Sequence, residues 1–164
     1  MQREWSYQEA FSRNLGLINP QEQERLRRKR IAIPGMGGVG GIHLLTLARL
    51  GIGAFRIADP DTFDVVNFNR QFGAEVQTLG RSKAEVMRER ALQINPELEI
   101  DVLGEPISER NVDAFLHGAD ILVDSVDFFA FDARRLLSAE GPAGGCSRYM
   151  GLALSQLDQA TDWV

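Results

Sequence analysis

Six glycine-loop positions and a few charged residues are the parts of this sequence able to do chemistry. The loop reads Gly35-Met36-Gly37-Gly38-Val39-Gly40, and Asp59, Asp61, Arg70, Lys83 and Asp127 follow it in order. Glycines leave room for an anion to approach the backbone, and a helix opening at the last of them offers unpaired N–H groups and a positive dipole end. Asp59 lies about 20 residues beyond the loop, where a carboxylate accepts hydrogen bonds from ribose hydroxyls. Up to this point a nicotinamide, flavin or adenine nucleotide would serve equally well. The next residues narrow the choice. Arg70 and Lys83 supply positive charge of the kind that stabilises a departing pyrophosphate. Asp127 supplies a carboxylate, the ligand type that Mg²⁺ takes beside substrate phosphate. A dinucleotide site has no evident use for that set, whereas a triphosphate site does. Each residue also has a plain structural reading: Lys83 as a solvated helix lysine, Asp127 as a cap for a helix at Phe128, and Arg70 as an ion-pair partner of Asp61 or Asp64.

These residues need elements to position them. Arg30 to Pro34 is a short apolar strand running into the glycine loop, and Val39 to Leu50 an apolar helix with Ile42, Leu45, Leu47 and Leu50 available to a core. Strands are expected over Ala54 to Ala58, Leu98 to Leu103 and Asp120 to Asp124. Helices are expected over Ser82 to Asn95, from Ser108 to near Gly118, and over Phe128 to Leu137. Before them, Asn19-Pro20-Gln21-Glu22 reads as a capping box opening a helix to about Arg28. The stretch Pro60 to Gly80 lacks periodicity and is long for a connection, which points to function or short local helices. Strands alternating with helices predict an α/β, Rossmann-like, mostly parallel sheet with helices on both faces and an N-terminal helical arm.

The chain has 164 residues, 44% hydrophobic and 25% charged, with a net charge of −5. That is ordinary for a globular domain and gives no reason for nucleic acid or an anionic membrane to bind non-specifically. Arg25, Arg27, Arg28, Lys29 and Arg30 are a local basic exception, read as a solvated helix face. The single cysteine, Cys146, excludes an internal disulfide and reads as an incidental thiol. There is no signal-type or membrane-spanning apolar run, which predicts a cytoplasmic protein.

Five motifs taken together resemble the E1-like superfamily, which includes the adenylyltransferases ThiF and MoeB and the ubiquitin-activating enzymes. They are Gly35-Met-Gly-Gly-Val-Gly40, Asp59, Asn67-Phe-Asn-Arg70-Gln71, Lys83 and Asp124-Ser-Val-Asp127, and the resemblance covers about residues 11 to 137. It implies ATP and Mg²⁺ as cofactors and an acyl-adenylate as product. Asp59 would bind the ribose, Asn67 and Arg70 the β- and γ-phosphates, Lys83 the α-phosphate, and Asp127 the metal. Arg13, in the degenerate segment Phe11-Ser-Arg13-Asn14, would reach the ATP of a second copy, as in a homodimer. The activated carboxylate would be the C-terminal glycine of a ubiquitin-like or sulfur-carrier protein. Lys83 to Arg90 and Gln93-Ile-Asn-Pro96 also look like the dehydratase acting on threonylcarbamoyladenosine in tRNA, a second candidate substrate.

The resemblance fades at Ser138. Residues 1–137 are read as the nucleotide-binding domain and 138–164 as an irregular tail, with no convincing strand after Cys146 and a weak helix from about Tyr149 to Gln159. The family's downstream strands, crossover segment and zinc pair are not found, so a truncated or frame-shifted member is expected. Three readings stand: an adenylating enzyme, a nucleotide-binding module without turnover, and a nicotinamide-dependent oxidoreductase.

Overall fold

A computed structural model describes residues 4–126, 131–139 and 147–150. Its centre is a five-stranded sheet of β1 (Arg30–Pro34), β2 (Ala54–Ala58), β3 (Glu99–Leu103), β4 (Ile121–Asp124) and β5 (Ser147–Met150), in the order β3-β2-β1-β4-β5. Every pairing is parallel, with Ile31 opposite both Phe55 and Ile121. The chain moves outward from β1 to β2 and β3, then returns to the other side of β1 for β4. The C-terminal ends of β1 and β4 therefore flank the reversal of strand order, where open sheets of this class bind ligands.

Side chains on β1 alternate between two cores, as the pleat requires. Ile31 and Ile33 face a cluster containing Leu44 and Ala48 from α3 (Gly40–Arg49) and Val86, Met87 and Ala91 from α4 (Lys83–Ile94). Ala32 faces the opposite cluster with Val112 and Phe115 from α5 (Val112–Leu116) and Leu137 from α6 (Phe131–Ala139). Helices cover both faces, as expected for a Rossmann-like α/β fold.

At the N-terminus, α1 (Tyr7–Ala10) and a 3₁₀ turn (Ser12–Asn14) precede α2 (Pro20–Arg27). The capping box at Asn19 is formed: its side chain accepts from Glu22 N–H, and Glu22 accepts from Asn19 N–H. The basic cluster after it is absorbed by carboxylates. Arg27 pairs with Glu97, Lys29 with Asp120, and Arg30 with Glu99 and Asp101. The Tyr7 hydroxyl donates to the Gly51 carbonyl and Asn14 Nδ2 donates to the Leu50 carbonyl, which fastens the arm to the C-terminal end of α3.

Two expectations are corrected here. α3 keeps half of its expected inward set: Leu45 and Leu47 are half-buried and pack against the core, Ile42 and Leu50 are exposed instead, and Leu44 and Ala48 are the fully buried positions. The cause is Gly41, where an added Cβ would come within 3.3 Å of both the Met36 carbonyl and Met87 Cε, so the bare backbone itself packs inward. The tail also adds a strand. Ser147–Met150 pairs with β4, where no strand was expected and Tyr149 was read as helical. The rest of that weak helix and Cys146 lie outside the described residues. Among those described, no helix is long and apolar enough to cross a membrane.

Candidate nucleotide site

The glycine loop joins β1 to α3, and each glycine has its own physical reason. Gly35 has φ +88°, and a Cβ there would lie 2.7 Å from the Ser125 carbonyl. At Gly40 a Cβ would lie 1.7 Å from the Gly35 carbonyl, which only hydrogen tolerates. At Gly38 a Cβ would press at 3.2 Å on the Arg70 carbonyl. Gly37 is different. Its φ is not positive, and a Cβ would meet only the Gln71 amide at 3.5 Å, an ordinary contact. Nothing inside the described protein demands glycine at 37, so the open backbone there suits the approach of something from outside.

α3 starts with no side-chain cap, and among the described residues no hydrogen bond takes the N–H of Gly37 or Gly38. N–H groups left in this way in the loop just ahead of a helix, facing the positive end of its dipole, favour an anion.

Asp59 closes β2 and is buried at 6% exposure. Its Oδ2 accepts from Met36 N–H at 2.6 Å and its Oδ1 from Asp61 N–H at 2.9 Å. Burial pushes its carboxyl above the usual carboxylate range, while the two N–H bonds and nearby Lys83 oppose the rise. A carboxylate accepts about four hydrogen bonds, so acceptor capacity remains for ribose hydroxyls. Asp61 continues the chain. Its Oδ2 holds Lys83 Nζ at 3.0 Å, and its carbonyl accepts from Lys83 N–H. Lys83 is the first residue of α4 and its side chain is 8% exposed, so the solvated-lysine reading does not describe it.

Asn67, Arg70 and Gln71 lie on one turn. Asn67 Oδ1 accepts from Asp64 N–H, and its carbonyl accepts from the N–H groups of both Arg70 and Gln71. This buried asparagine builds the turn that sets Arg70 against Gly38. The Arg70 guanidinium is exposed and donates to the Val66 carbonyl at 2.9 Å and Asn69 Oδ1 at 3.0 Å, so neither Asp61 nor Asp64 is its ion-pair partner. The irregular stretch 60–80 holds two short 3₁₀ turns, Val65–Asn67 and Val76–Thr78.

The loop, Asp59, Asp61, Asn67, Arg70 and Lys83 thus gather around the ends of β1 and β2. Arg13 does not join them, because its exposed 3₁₀ turn is fastened at the far end of α3. Asp127 lies outside the described residues, and those described contain no cluster of three metal-ligating side chains. Two residues lie inside the motifs read from the sequence without having been given a role there. Ser125 Oγ donates to the Pro34 carbonyl at 2.6 Å and tethers the glycine loop to the end of β4; its place directly after a strand neighbouring β1 was the available signal. Gln71, beside Gly37, is the other. An open glycine, uncapped helix amides and a buried lysine fit a nucleotide phosphate.

The sequence model of the ThiF family matches residues 11–141. The chain belongs to the ThiF family. Among ThiF-related proteins, the tRNA threonylcarbamoyladenosine dehydratase of Haemophilus influenzae is 38% identical over 123 residues, which is 74% of this chain and 47% of that protein. The ubiquitin-like modifier-activating enzyme 5 of Caenorhabditis elegans is 36% identical over 104 residues, 63% of this chain and 24% of that one. The crystal structure of Escherichia coli tRNA N6-threonylcarbamoyladenosine dehydratase, TcdA, superposes with a TM-score of 0.82 at 29% identity, over 91% of this chain and 64% of that one. The same enzyme in complex with ATP superposes with a TM-score of 0.72 at 33% identity, over 77% and 53% of the two chains. This ThiF-family chain spans about half the length, or less, of the curated relatives it matches.

Proposed function

We propose that this chain is the ATP-binding part of an enzyme that activates a carboxylate by adenylylation. The observation that carries the reading is the convergence of a sterically unneeded glycine, Gly37, with Lys83 buried beside Asp61 and Asp59. Bound ATP supplies an electrophilic α-phosphorus and a pyrophosphate leaving group to a substrate carboxylate. The protein's part is positioning and charge stabilisation. Asp59 orients the ribose, and the amides of Gly37 and Gly38 hold phosphate oxygens. Lys83, released from Asp61 toward the phosphates, and Arg70 offset the negative charge that grows on the leaving group. Asn67 keeps its turn in place so that Arg70 faces the loop. Mg²⁺ would be held through the Asp127 carboxylate.

Similarity to the dehydratases favours a threonylcarbamoyladenosine of tRNA as the activated substrate. The second reading, the carboxyl terminus of a ubiquitin-like or sulfur-carrier protein, is supported by the modifier-activating relative. Self-association belongs to the same proposal. Val65, Val66, Phe72 and Val76 are exposed beside the Asn67 turn, and Arg13 could reach a nucleotide only from another copy. ATP–pyrophosphate exchange tests the proposal. Exchange stimulated by tRNA bearing threonylcarbamoyladenosine supports the first substrate, and stimulation by a carrier protein alone supports the second. ATP binding with no exchange under either condition would leave a binding module without turnover.

A further inference from the structure

The turn that carries Asn67 and Arg70 is hydrogen-bonded almost entirely to itself. The Asn67 carbonyl accepts from Arg70 and Gln71, the Gln71 carbonyl from Ala74, and the Glu75 carbonyl from Thr78. It meets the glycine loop by contact alone. A Cβ at Gly38 would lie 3.2 Å from the Arg70 carbonyl, and among the described residues no hydrogen bond joins residues 35–40 to residues 64–78. Something beyond the turn must therefore hold it over the loop.

Arg90, on α4, does so. One guanidinium nitrogen donates to the Phe72 carbonyl at 3.0 Å, and the other pairs with the Glu75 carboxylate at 2.7 Å. Among the described residues these are the only hydrogen bond and ion pair that tie residues 64–78 to an α-helix or a strand. The two acceptors flank Gly73, where a Cβ would lie 2.2 Å from Phe63 Cζ and 2.9 Å from Met87 Sδ, so the clasp closes where the backbone is pressed against the core. A planar guanidinium holds two acceptors in fixed directions, which an ammonium does not. Arg90 also shares a face of α4 with Met87 and Lys83, the first of which lies against Gly41 and the second of which holds Asp61. Because Glu75 is half-exposed, the ion pair adds little stability, and its loss should be felt in the placing of the turn more than in folding. We propose that Arg90 is a positioning residue for phosphate binding: by clasping Phe72 and Glu75 it fixes the Arg70 turn over the glycine loop, acting through Arg70 and not on the nucleotide. This rests on the ATP-binding reading above.

Arg90→Met keeps the apolar stem and removes the clasp, and Arg90→Lys keeps a donor for the Phe72 carbonyl. Both are compared with wild type, with Arg70→Met and with the double variant Arg70→Met, Arg90→Met. Calorimetric titration with ATP and with adenosine, beside melting temperature without ligand, reads the role. Arg90→Met should bind ATP about fivefold more weakly and adenosine as wild type does, with little further loss when it is added to Arg70→Met, because a residue acting through another has no effect once that other is gone. Arg90→Lys should recover part of the loss. Equal ATP affinity of wild type and Arg90→Met would overturn the inference and leave the ATP-binding reading standing. Equal losses for ATP and adenosine, or losses that multiply in the double variant, would assign Arg90 to the scaffold and overturn it too. A wild-type chain that binds no ATP would overturn the ATP-binding reading itself, and this inference with it.

Discussion

Asp59 Oδ2 accepts the backbone N–H of Met36 at 2.6 Å, so the carboxylate at the end of β2 fixes the glycine loop at the end of β1. The same side chain, through Asp61, borders the buried Lys83. A group expected to grip the ribose is also a strut of the glycine loop. The proposed ribose contact and the integrity of the loop would thereby depend on one ionisable residue.

Asp59 makes stability depend on pH in a defined direction. Burial raises its carboxyl above the ordinary value of 3.8, so the folded chain holds this proton more tightly than the unfolded chain. Its contribution is full below the unfolded value and is lost as pH rises through the folded one. Urea unfolding of wild type and Asp59→Asn from pH 4 to pH 8 should show the wild type's advantage shrinking as pH rises. An advantage that grows with pH would contradict this assignment.

Gly37 and Gly40 separate ligand approach from packing. Gly40→Ala drives a methyl group onto the Gly35 carbonyl and should destabilise the fold by about 3 kcal/mol. Gly37→Ala meets only an ordinary contact and should change stability by less than about 1 kcal/mol. It should nevertheless weaken ATP at least tenfold. Equal thermal destabilisation of the two variants would show that Gly37 serves packing after all.

Lys83→Met tests the cation. The Lys83–Asp61 pair joins a buried ammonium to a carboxylate that is 65% exposed, so its loss should cost no more than about 1 kcal/mol. ATP affinity should fall at least tenfold, with adenosine affinity little changed, because phosphate rather than base or sugar loses its partner. Equal affinities of wild type and variant for ATP would remove Lys83 from the site.

Much of this was legible in the sequence. β1 and β2 fall on their expected spans: Ile31–Pro34 is a continuous apolar run of the kind a parallel strand buried on both faces needs, and β2 interrupts its run only at Arg56. The loop was readable because glycine spacing, a preceding strand and a following aspartate are local signals. What escaped depended on contacts between distant segments. The phase of α3 is set by Gly41 meeting Met36 and Met87, which periodicity of large residues does not record. Gln71 reaches Gly37 only because two 3₁₀ turns fold residues 60–80 back over the loop, and such turns carry no period. Ser147–Met150 becomes a strand through pairing with β4; four residues behind a run of glycines show no alternation of their own.

The most direct test is calorimetric titration of the wild-type chain with Mg·ATP and, in parallel, with NAD. The site described here predicts measurable ATP binding, at least tenfold tighter than NAD. Tighter binding of NAD would mean that Lys83 and Arg70 do not serve a triphosphate, and would contradict the account at its centre.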